Sequence, residues 1–404
     1  MPFETELTSI DTKRNSYRVA NWLCVFIFLL HTTLLVLSGY VHSPTHLEVF
    51  HLPAGLSHWE LSRYDLYRVN PPLVRMVGAL PVCLASHESN YASYNFQPFV
   101  RAEYVVGLDA MHANGTRFVW LIILSRWVCI PFILLGGWVC FCWASRLYGN
   151  VAGIVTLVLW CFCPYVLGHG SLITPDAHAA ALGIAAAFMF WRWLERPTWL
   201  FALFGGIVLG IAELSKFTLL IFYPIGIFLW LIFRLSSSTT RKGSLLLKES
   251  VMGLSIVLLS IFVINFGYAF EHTMKPLGVF RFQTMTLTGD RNEEDIPKSG
   301  GNRFSETFLG KIPVPLPANY LAGLDMQKKD FETGIYSYLR GEWQIGGWWF
   351  FHLYAMLIKI PLGTWSVIIL ATVLTFAGKQ YRSSWKNEFF LLLPIFVLLG
   401  TVKE

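Results

Sequence analysis

The sequence predicts an all-α integral membrane protein with about nine transmembrane helices and two long extracytoplasmic loops that carry interfacial helices. Two features of the composition predict this class: hydrophobic residues make up 54% of the 404 residues, and charged residues make up only 14%. Soluble globular domains average about 25% charged residues. The third observation is that the hydrophobic residues occur in long runs, because a helix needs roughly 20 apolar residues to cross a hydrocarbon core about 30 Å thick.

Nine apolar segments are candidate spans. They cover residues 20–41, 118–144, 151–168, 176–193, 199–213, 217–233, 250–270, 347–375 and 388–402. Basic residues precede the first of them, as they would in a secretory signal. Its apolar stretch is longer than the apolar part of a signal, however, and no cleavage site of small residues follows. We therefore expect an uncleaved anchor.

The basic residues of the short connections indicate the orientation, since cytoplasmic connections carry an excess of lysine and arginine. In the predicted topology these residues fall on one side: Lys13, Arg14, Arg18, Arg146, Arg192, Arg196, Arg234, Arg241, Lys242, Lys248, Lys379, Arg382 and Lys386. We therefore predict a cytoplasmic N-terminal segment at residues 1–19. Residues 20–404 then form one multi-pass domain in the cytoplasmic (inner) membrane.

Alternation of the spans places residues 42–117 and 271–346 on the outer face, together with the turns at 169–176 and 213–216. Connections longer than about 15 residues are usually functional or disordered. The first outer segment includes PPLVRMVGALPVCLA, which begins with two prolines, a favoured helix start, and is too short to span. We expect helices that lie on the outer membrane surface.

Charge and cysteine spacing argue against two kinds of site. The formal net charge of +6 is largely explained by the cytoplasmic basic residues, and no basic stripe with interleaved aromatic residues occurs. We therefore predict no nucleic-acid partner. Cys140 with Cys142, and Cys161 with Cys163, form C-x-C pairs inside candidate spans. Residues two apart point to different faces of a helix, so neither a metal site nor a disulfide is expected there.

The stretch HLEVFHLPAG in the first outer segment places a carboxylate and an imidazole at helical spacing. Glu48 and His51 are three residues apart, so on a helix they share one face. Such a pair can bind a metal ion or a substrate hydroxyl. The alternative is a hydrogen-bonded pair at the membrane interface without a functional role.

The stretch SRYDLYRVNPPLVR contains Asp65 between Arg63 and Arg68, with Arg75 farther on. One interpretation is a local turn held together by salt bridges. The other is a cationic site for a phosphate group, which the planar fork of arginine suits. The sequence leaves both interpretations open.

The turn ITPDAHA before a candidate span contains another carboxylate, Asp176. Thr174 can act as N-cap and Pro175 as first helical residue, so that Asp176 is a first-turn carboxylate favoured by the helix dipole. The alternative interpretation is functional: His169 and His178 are close in sequence, and the carboxylate could hold a divalent cation or contact a substrate. Polar side chains at the membrane boundary of a helix bundle are often functional.

Two more groups of polar and aromatic residues lie at predicted outer boundaries. Glu213 and Lys216 are three residues apart and either neutralise one another or leave Lys216 for an anionic lipid headgroup. In the second outer segment the tryptophans suit a membrane-interface belt, with sugar stacking or a grip on a lipid chain as the alternative. His352 follows them and either faces the site or is a satisfied boundary histidine. The tryptophans are Trp343, Trp348 and Trp349.

The sequence resembles the GT-C superfamily of membrane glycosyltransferases, particularly the branch that contains protein O-mannosyltransferases and lipid A aminoarabinose transferase. The resemblance runs from about residue 42 to 365. The stretches that carry it are THLEVFHLPAGLSHW, YDLYRVNPPLVR, ITPDAHAAALG, LGIAELSKFTLL, IPVPLPANYLAGLDMQ and SYLRGEWQIGGWWFFHLYAMLIKIPLG. The resemblance implies a polyprenyl-phosphate-linked sugar as donor and an acceptor hydroxyl on a lipid, glycan or protein at the outer face.

In that family an acidic pair in the first outer loop supplies the catalytic base. The matching positions here are Leu47 and Glu48, so the first acidic residue is missing. The resemblance implies that Glu48 is the base, with Asp65 as a substitute. This departure, and a chain that ends at GTVKE where relatives continue, favour as an alternative a shortened, catalytically inactive subunit that binds polyprenyl phosphate.

The predicted chemistry needs these residue types. A carboxylate takes the proton from the attacking hydroxyl, and positive charge stabilises the departing phosphate. That charge comes from Lys216, from an arginine such as Arg63, or from a divalent metal ion held by Asp176. One carboxylate base fits an inverting displacement. A transporter is the third hypothesis, but its ionisable residues would lie near the membrane midplane, whereas here they gather at one face.

Overall fold

The computed structural model of the protein describes residues 2–94, 100–236, 243–290, 297, 299–334, 336–378 and 385–401. Most of these residues are helical, as predicted. Four basic residues used to predict the orientation lie outside the described residues, as do the last three residues of GTVKE. The four are Arg241, Lys242, Lys379 and Arg382.

The described residues form sixteen α-helices and two short β-strands. In chain order they are α1 Pro2–Val41, α2 Glu48–Glu60, α3 Leu73–Leu84, α4 Glu103–Asn114, α5 Arg117–Tyr148, α6 Asn150–Cys161, α7 Pro164–His169, α8 Pro175–Glu195, α9 Trp199–Glu213, α10 Phe222–Leu235, α11 Gly243–Gly267, α12 Met285–Thr288, α13 Ala318–Thr333, β1 Tyr336–Leu339, β2 Glu342–Ile345, α14 Phe351–Lys359, α15 Leu362–Ala377 and α16 Trp385–Thr401. The helix α1 continues from the predicted cytoplasmic segment into the first span without a break.

Five helical segments in the described part of the chain are long and apolar enough to cross a membrane, and a bent pair of helices would be a sixth span. The five segments are Ala20–Val41, Arg117–Tyr148, Pro175–Glu195, Phe217–Leu235 and Leu245–Gly267. The nine predicted spans are therefore not confirmed. The broader prediction of a helical membrane protein agrees with these segments.

Four of the nine predicted spans do not form a single long helix in the described residues, and a proline accounts for two of these four. Residues 151–168 divide before Pro164 into α6, which has 12 residues, and the single-turn helix α7. Residues 347–375 divide at Pro361 into α14 and α15, whose axes differ by 104°. Proline lacks the backbone N–H that would bond to the preceding turn and therefore kinks or breaks a helix. An apolar run that contains a proline need not form one straight helix.

Of the two remaining candidates, one is a single helix that is too short, since α9 has 15 residues. A helix rises about 1.5 Å per residue, so α9 covers only about 23 Å of a hydrocarbon core that is roughly 30 Å thick. The segment is apolar, but composition alone did not reveal where the helix ends. The other candidate, α16, has 17 residues within the described part of the chain.

The helix bundle is built around α8 and α9. The helix α9 packs between α8 and α11, and α5 packs against α1, α6 and α8. Small residues let α9 and α11 approach closely: a methyl group at Gly210 would lie 2.8 Å from the Ser260 carbonyl oxygen. Close contact through small residues is the usual way in which helices associate in lipid.

The two ends of α8 carry different polar groups. At its C-terminal end Arg146 pairs with Glu195 at 3.3 Å, and Arg234 pairs with Glu249 and donates to the Leu194 carbonyl oxygen. Its N-terminal end carries Asp176. Four of the basic residues that were predicted to share one side, Arg146, Arg192, Arg196 and Arg234, thus lie at the end of α8 opposite Asp176. That this end faces the cytoplasm stays a prediction.

Short helices cover the end of the bundle near Asp176. The helices α2 and α3 pack on one another, α3 and α4 contact α5, and α3 begins directly after Pro72, which confirms the predicted helix start. The mostly helical structure agrees with the predicted all-α class, and the described residues add one small antiparallel hairpin, β1 with β2. Arg340 and Gly341 both have positive φ in its two-residue turn, the geometry that suits the twist of paired strands.

Candidate functional site

Three parts of the chain meet at the end of the bundle near Asp176: the segment around residues 61–75, the turn after α9, and α13. The backbone N–H of Leu73 donates to the Leu214 carbonyl oxygen at 3.0 Å. Beneath this contact, aromatic side chains from all three parts form one buried cluster that includes Tyr64, Phe217 and Tyr320. The sequence could not predict this convergence, because the three parts are separated by more than 100 residues at each step.

Glu48 forms a buried ion pair with Arg126 of α5. The guanidinium donates to both carboxylate oxygens, Nε to Oε1 at 2.8 Å and the second nitrogen to Oε2 at 2.6 Å. The same carboxylate accepts hydrogen bonds from Thr45 and from the backbone N–H of Ile173. Arg126 also donates to carbonyl oxygens of residues 39–43. The pair therefore ties the ends of α1 and α2 to α5 and to the turn before α8.

This pairing leaves Glu48 enclosed. Its side chain is 0% exposed and that of Arg126 is 1% exposed. The predicted role of Glu48 as general base stays a prediction, but its burial and its pairing favour a structural role. Leu47, the neighbouring residue at the position of the missing acid, is 42% exposed, so the side chain that faces outward at this point of α2 is apolar.

The position of Arg126 inside an apolar span is a signal for a functional or paired residue that the site prediction did not include. An arginine inside an apolar span is costly and is usually paired or functional. Arg126 lies in the predicted span 118–144, so its presence already indicated a buried acidic partner. The partner itself, 78 residues earlier, could not be read from spacing.

His51 lies on the inner side of α2, next to the polar group that includes Asp176. Its ring packs edge-to-face against the ring of Tyr67, with the ring centroids 4.5 Å apart. Neither ring nitrogen of His51 has a hydrogen-bond partner among the described residues. Burial, and then the positive charge of Arg75, lower the pKa of His51 to about 3, while Asp176 opposes that shift. His51 is therefore neutral at physiological pH. Its two ring nitrogens offer one donor and one acceptor.

The predicted metal ligands Glu48, His51 and Asp176 are not assembled as a metal site. In the part of the chain that the structure describes, no three His, Cys, Asp or Glu side chains are grouped so that they could hold a metal ion. Glu48 is taken by Arg126, and Asp176 is taken by Lys216. A metal-binding role for the three residues stays a prediction without support from their geometry.

Asp65 forms the salt-bridged turn that was one of its two interpretations. Arg63 donates through Nε and a terminal nitrogen to the two carboxylate oxygens at 3.0 and 2.5 Å, and the Tyr94 hydroxyl donates at 2.6 Å. Arg68 lies 4.0 Å away. Burial raises the pKa of Asp65, but the hydrogen bonds from Arg63 and Tyr94 outweigh it and hold that pKa below its ordinary value. Asp65 is therefore an ionised, well-paired carboxylate.

Arg75 is buried and stabilises the loop before α3. Its Nε donates to Nε2 of His58 at 2.9 Å, and a terminal nitrogen donates to the Asn70 carbonyl oxygen at 2.8 Å. Since arginine can only donate, His58 accepts at Nε2 and carries its proton on Nδ1, which donates to the Arg63 carbonyl oxygen at 2.6 Å. A chain of hydrogen bonds thus runs from the Asp65 turn to Arg75. Arg75 does not face a substrate space directly.

Asp176 and Lys216 form an ion pair at the same end of the bundle. The Lys216 ammonium lies 2.6 Å from Oδ1 of Asp176, and the two side chains are 27% and 33% exposed. This contact rules out the predicted neutralisation of Lys216 by Glu213. Glu213 is fully buried instead, and its carboxyl group faces the hydroxyl of Tyr320. The two residues are three apart, but α9 ends at Glu213, so they do not share a helix face.

The start of α8 agrees with the prediction except for its cap. The helix begins at Pro175 and has Asp176 in its first turn, but the Thr174 hydroxyl does not cap it. Thr174 instead contributes its carbonyl oxygen, which bonds to Nδ1 of His178 at 2.9 Å. His178 is 0% exposed, and its Nε2 has no partner among the described residues.

His352 and the tryptophans of the second outer segment lie at the periphery. His352 is half-buried in the first turn of α14, where its ring contacts Phe351. Trp343 and Trp349 are 69% and 80% exposed, as a membrane-interface belt would require. The described contacts do not bring His352 to the pair of Asp176 and Lys216, so its substrate-binding role stays a prediction.

The comparisons with known proteins support a transferase of the predicted kind over part of the chain. A family model described as dolichyl-phosphate-mannose-protein mannosyltransferase matches residues 122–264. No curated protein matches the chain, and no solved structure does. The matched stretch runs from within α5 to near the end of α11 and contains Arg126, Asp176 and Lys216.

Proposed function

We propose that the protein is a membrane glycosyltransferase that moves a sugar from a polyprenyl-phosphate donor to an acceptor hydroxyl. The observation that carries the proposal is the ion pair of Asp176 and Lys216, which is partly exposed and lies within the stretch that matches the mannosyltransferase family model. The transfer takes place at this end of the bundle. The end is extracytoplasmic if the basic residues at the other end face the cytoplasm.

In the proposed reaction Lys216 binds the donor phosphate. The ammonium exchanges its contact with Asp176 for the phosphate oxygens, where negative charge increases as the sugar leaves. The exchange frees the Asp176 carboxylate. Asp176 then accepts the proton of the acceptor hydroxyl while the hydroxyl oxygen bonds to the anomeric carbon and the bond from that carbon to the phosphate oxygen breaks. Polyprenyl phosphate departs with the electron pair, and a single displacement inverts the anomeric carbon.

Asp176 is the best placed of the three candidate carboxylates. Glu48 accepts hydrogen bonds on both oxygens and is fully buried, and Asp65 is held by Arg63 and Tyr94. Asp176 has one cationic partner and is one-third exposed. We therefore assign the base to Asp176 and a structural role to Glu48, which pairs with Arg126 and accepts a hydrogen bond from Ile173 in the turn that precedes α8.

A second candidate function is a catalytically inactive subunit that binds polyprenyl phosphate. The exposed apolar side chain of Leu47, at the position where the family has an acidic residue, favours it. Such a subunit would keep the role of Lys216 in binding phosphate and would not need Asp176 as a base. A transporter is disfavoured, because the ion pairs at Glu195 and at Asp176 lie at the two ends of α8 rather than near the middle of a span.

The test is turnover of dolichyl phosphate mannose by the purified full chain in lipid nanodiscs, with an extract of the host membranes added as the source of acceptor hydroxyls, read as released dolichyl phosphate. We expect wild-type release and a loss of about 10²- to 10⁴-fold in Asp176→Asn, the range of a general base. The matched control is Asp330→Asn, since Asp330 is also about one-third exposed and paired, with Arg101 at 3.3 Å. Equal release by wild type and Asp176→Asn would refute the assignment. Donor binding without release by wild type would support the inactive subunit.

A further inference from the structure

A cavity of about 330 Å³ lies between the two predicted outer segments and is lined by both charged and apolar side chains. Its volume is at the lower end of the roughly 300–1,000 Å³ of pockets that bind small ligands. Residues from both segments line it: Arg63, Asp65, Arg68, Glu271, His272, Lys275, Val279, Phe280, Arg281, Ala318, Asn319, Ala322 and Met326. The proposed transfer reaction does not use any of them.

The acidic groups of this cavity already have partners. Asp65 is bound by Arg63 and by the Tyr94 hydroxyl. Glu271 accepts a hydrogen bond from the side-chain amide of Asn319 at 2.7 Å, and the other end of that amide accepts from Arg68 Nε at 2.7 Å. The two carboxylates are therefore held at the wall of the cavity.

The basic groups are in excess and are partly unpaired. Four arginine and lysine side chains line the cavity against two carboxylates. Neither Lys275, which is half-buried, nor Arg281, which is exposed, makes a side-chain hydrogen bond or ion pair with another described residue. The cavity thus has two cationic groups available for an anion, and its apolar wall includes Phe280 and Met326. Such a mixture of a few polar groups with an apolar wall is typical of sites for small organic ligands.

The cavity is connected to the transfer site through the loop before α3. Arg68 lies in this loop, and its carbonyl oxygen packs against Gly323 of α13, where a methyl group would overlap with it. Farther along the loop, Leu73 bonds to Leu214, two residues before Lys216. Phe217, the residue after Lys216, also packs against Gly323, so a ligand in the cavity lies at the same end of the bundle as the pair of Asp176 and Lys216.

We infer that this cavity binds the acceptor, and that the acceptor is a saccharide with one anionic group, a phosphate or a carboxylate. The anion pairs with Lys275 and Arg281, while Arg68, Asn319 and Glu271 hydrogen-bond to hydroxyl groups. Arginine and lysine favour both kinds of anion. This inference rests on the proposed transfer function, but it is tested by binding, which needs no turnover.

The experiment measures binding of soluble probes to the full chain in nanodiscs, at constant ionic strength because screening weakens such contacts. The probes are glucose 6-phosphate, glucuronate, glucose and inorganic phosphate. We expect the two anionic sugars to bind at least about tenfold more tightly than glucose and than inorganic phosphate, and Lys275→Gln and Arg281→Gln each to weaken that binding by about tenfold. The matched control, Lys311→Gln, changes an exposed lysine of the same segment that does not line the cavity.

The two proposals can fail separately. If both are correct, Lys216→Gln lowers release of dolichyl phosphate about 10²- to 10³-fold and leaves the binding of glucose 6-phosphate unchanged. Equal binding of glucose and glucose 6-phosphate, or no effect of Lys275→Gln and Arg281→Gln, would overturn the acceptor inference while wild-type turnover still supports the transferase. Equal binding of inorganic phosphate and glucose 6-phosphate would also overturn it, because the cavity would then bind an anion without a saccharide.

Discussion

The two ion pairs near the Asp176 end of the bundle differ in what surrounds them. Glu48 with Arg126 and Asp176 with Lys216 both bring a nitrogen and an oxygen to 2.6 Å. The first pair is 0% and 1% exposed and adds hydrogen bonds to backbone groups of three other segments. The second pair is about one-third exposed and consists of a single contact.

We expect the buried pair to contribute to stability and the partly exposed pair to reactivity. A buried pair leaves an uncompensated charge when one partner is removed, so its loss is expensive even where the intact pair adds little. A partly exposed pair is screened by solvent and contributes little to folding. The same property lets a ligand displace one partner, which a catalytic lysine and base require.

The largest expected effect is on stability at the buried pair. Glu48→Gln leaves Arg126 charged and without its carboxylate, and we expect a loss of about 3–5 kcal/mol in the free energy of unfolding. Thermal unfolding of the purified protein, with Asp176→Asn as the matched variant, measures it. A loss in Glu48→Gln no larger than in Asp176→Asn would remove the distinction between the two pairs.

The next effect is on turnover at the exposed pair. Lys216→Gln removes the charge that compensates the departing phosphate, and we expect turnover of dolichyl phosphate mannose to fall about 10²- to 10³-fold. Lys216→Arg keeps the charge and should recover part of the rate. Lys311→Gln is the control for a lysine outside the proposed site. If Lys216→Gln turns over as fast as wild type and as fast as Lys311→Gln, the proposed role of Lys216 is wrong.

A smaller effect is the loss of stability at low pH. Burial, and then the charge of Arg75, lower the pKa of His58 to about 3, well below its ordinary 6.5. The unfolded chain therefore binds a proton that the folded chain does not between about pH 6.5 and 3, so stability falls as the pH drops through that window, by up to about 1.4 kcal/mol per pH unit. His58→Gln should flatten the decline of unfolding temperature from pH 7 to 5, whereas His112→Gln, at an exposed histidine, should not. Parallel declines in all three proteins would exclude His58 as the cause.

The smallest effect is at an exposed pair outside both sites. Arg101 and Asp330 lie 3.3 Å apart with 31% of each side chain exposed. We expect Asp330→Asn to change the free energy of unfolding by less than about 1 kcal/mol. Thermal unfolding checks it, and a loss comparable with that of Glu48→Gln would show that exposure does not rank these pairs.

Local features of the fold were predictable from the sequence. Pro72 and Pro175 mark the starts of α3 and α8, and some of the basic residues predicted to share one side, such as Arg146, lie at the end of α8 opposite Asp176. The helix starts depend on interactions within a few residues, and the grouping of basic residues depends on the composition of the connections between spans. The span count failed, because an apolar composition does not show where a proline such as Pro361 divides a run.

Pairing across the fold was not predictable. Spacing suggested that Glu213 neutralises Lys216, yet Glu213 turns inward to Tyr320 and Lys216 contacts a carboxylate 40 residues earlier. Spacing likewise suggested that Glu48 is free to act with His51, whereas Arg126 encloses it. A single sequence shows which side chains are costly to leave alone in a membrane, but the packing of helices decides their partners.

The most direct test compares turnover per folded molecule in Glu48→Gln and Asp176→Asn. Folded protein is quantified by size-exclusion chromatography, and released dolichyl phosphate is divided by that amount. We predict that the folded fraction of Glu48→Gln retains most of the wild-type rate and that Asp176→Asn is well folded but loses at least about 10²-fold. A folded, inactive Glu48→Gln beside an active Asp176→Asn would contradict the assignment of stability to the buried pair and chemistry to the exposed one.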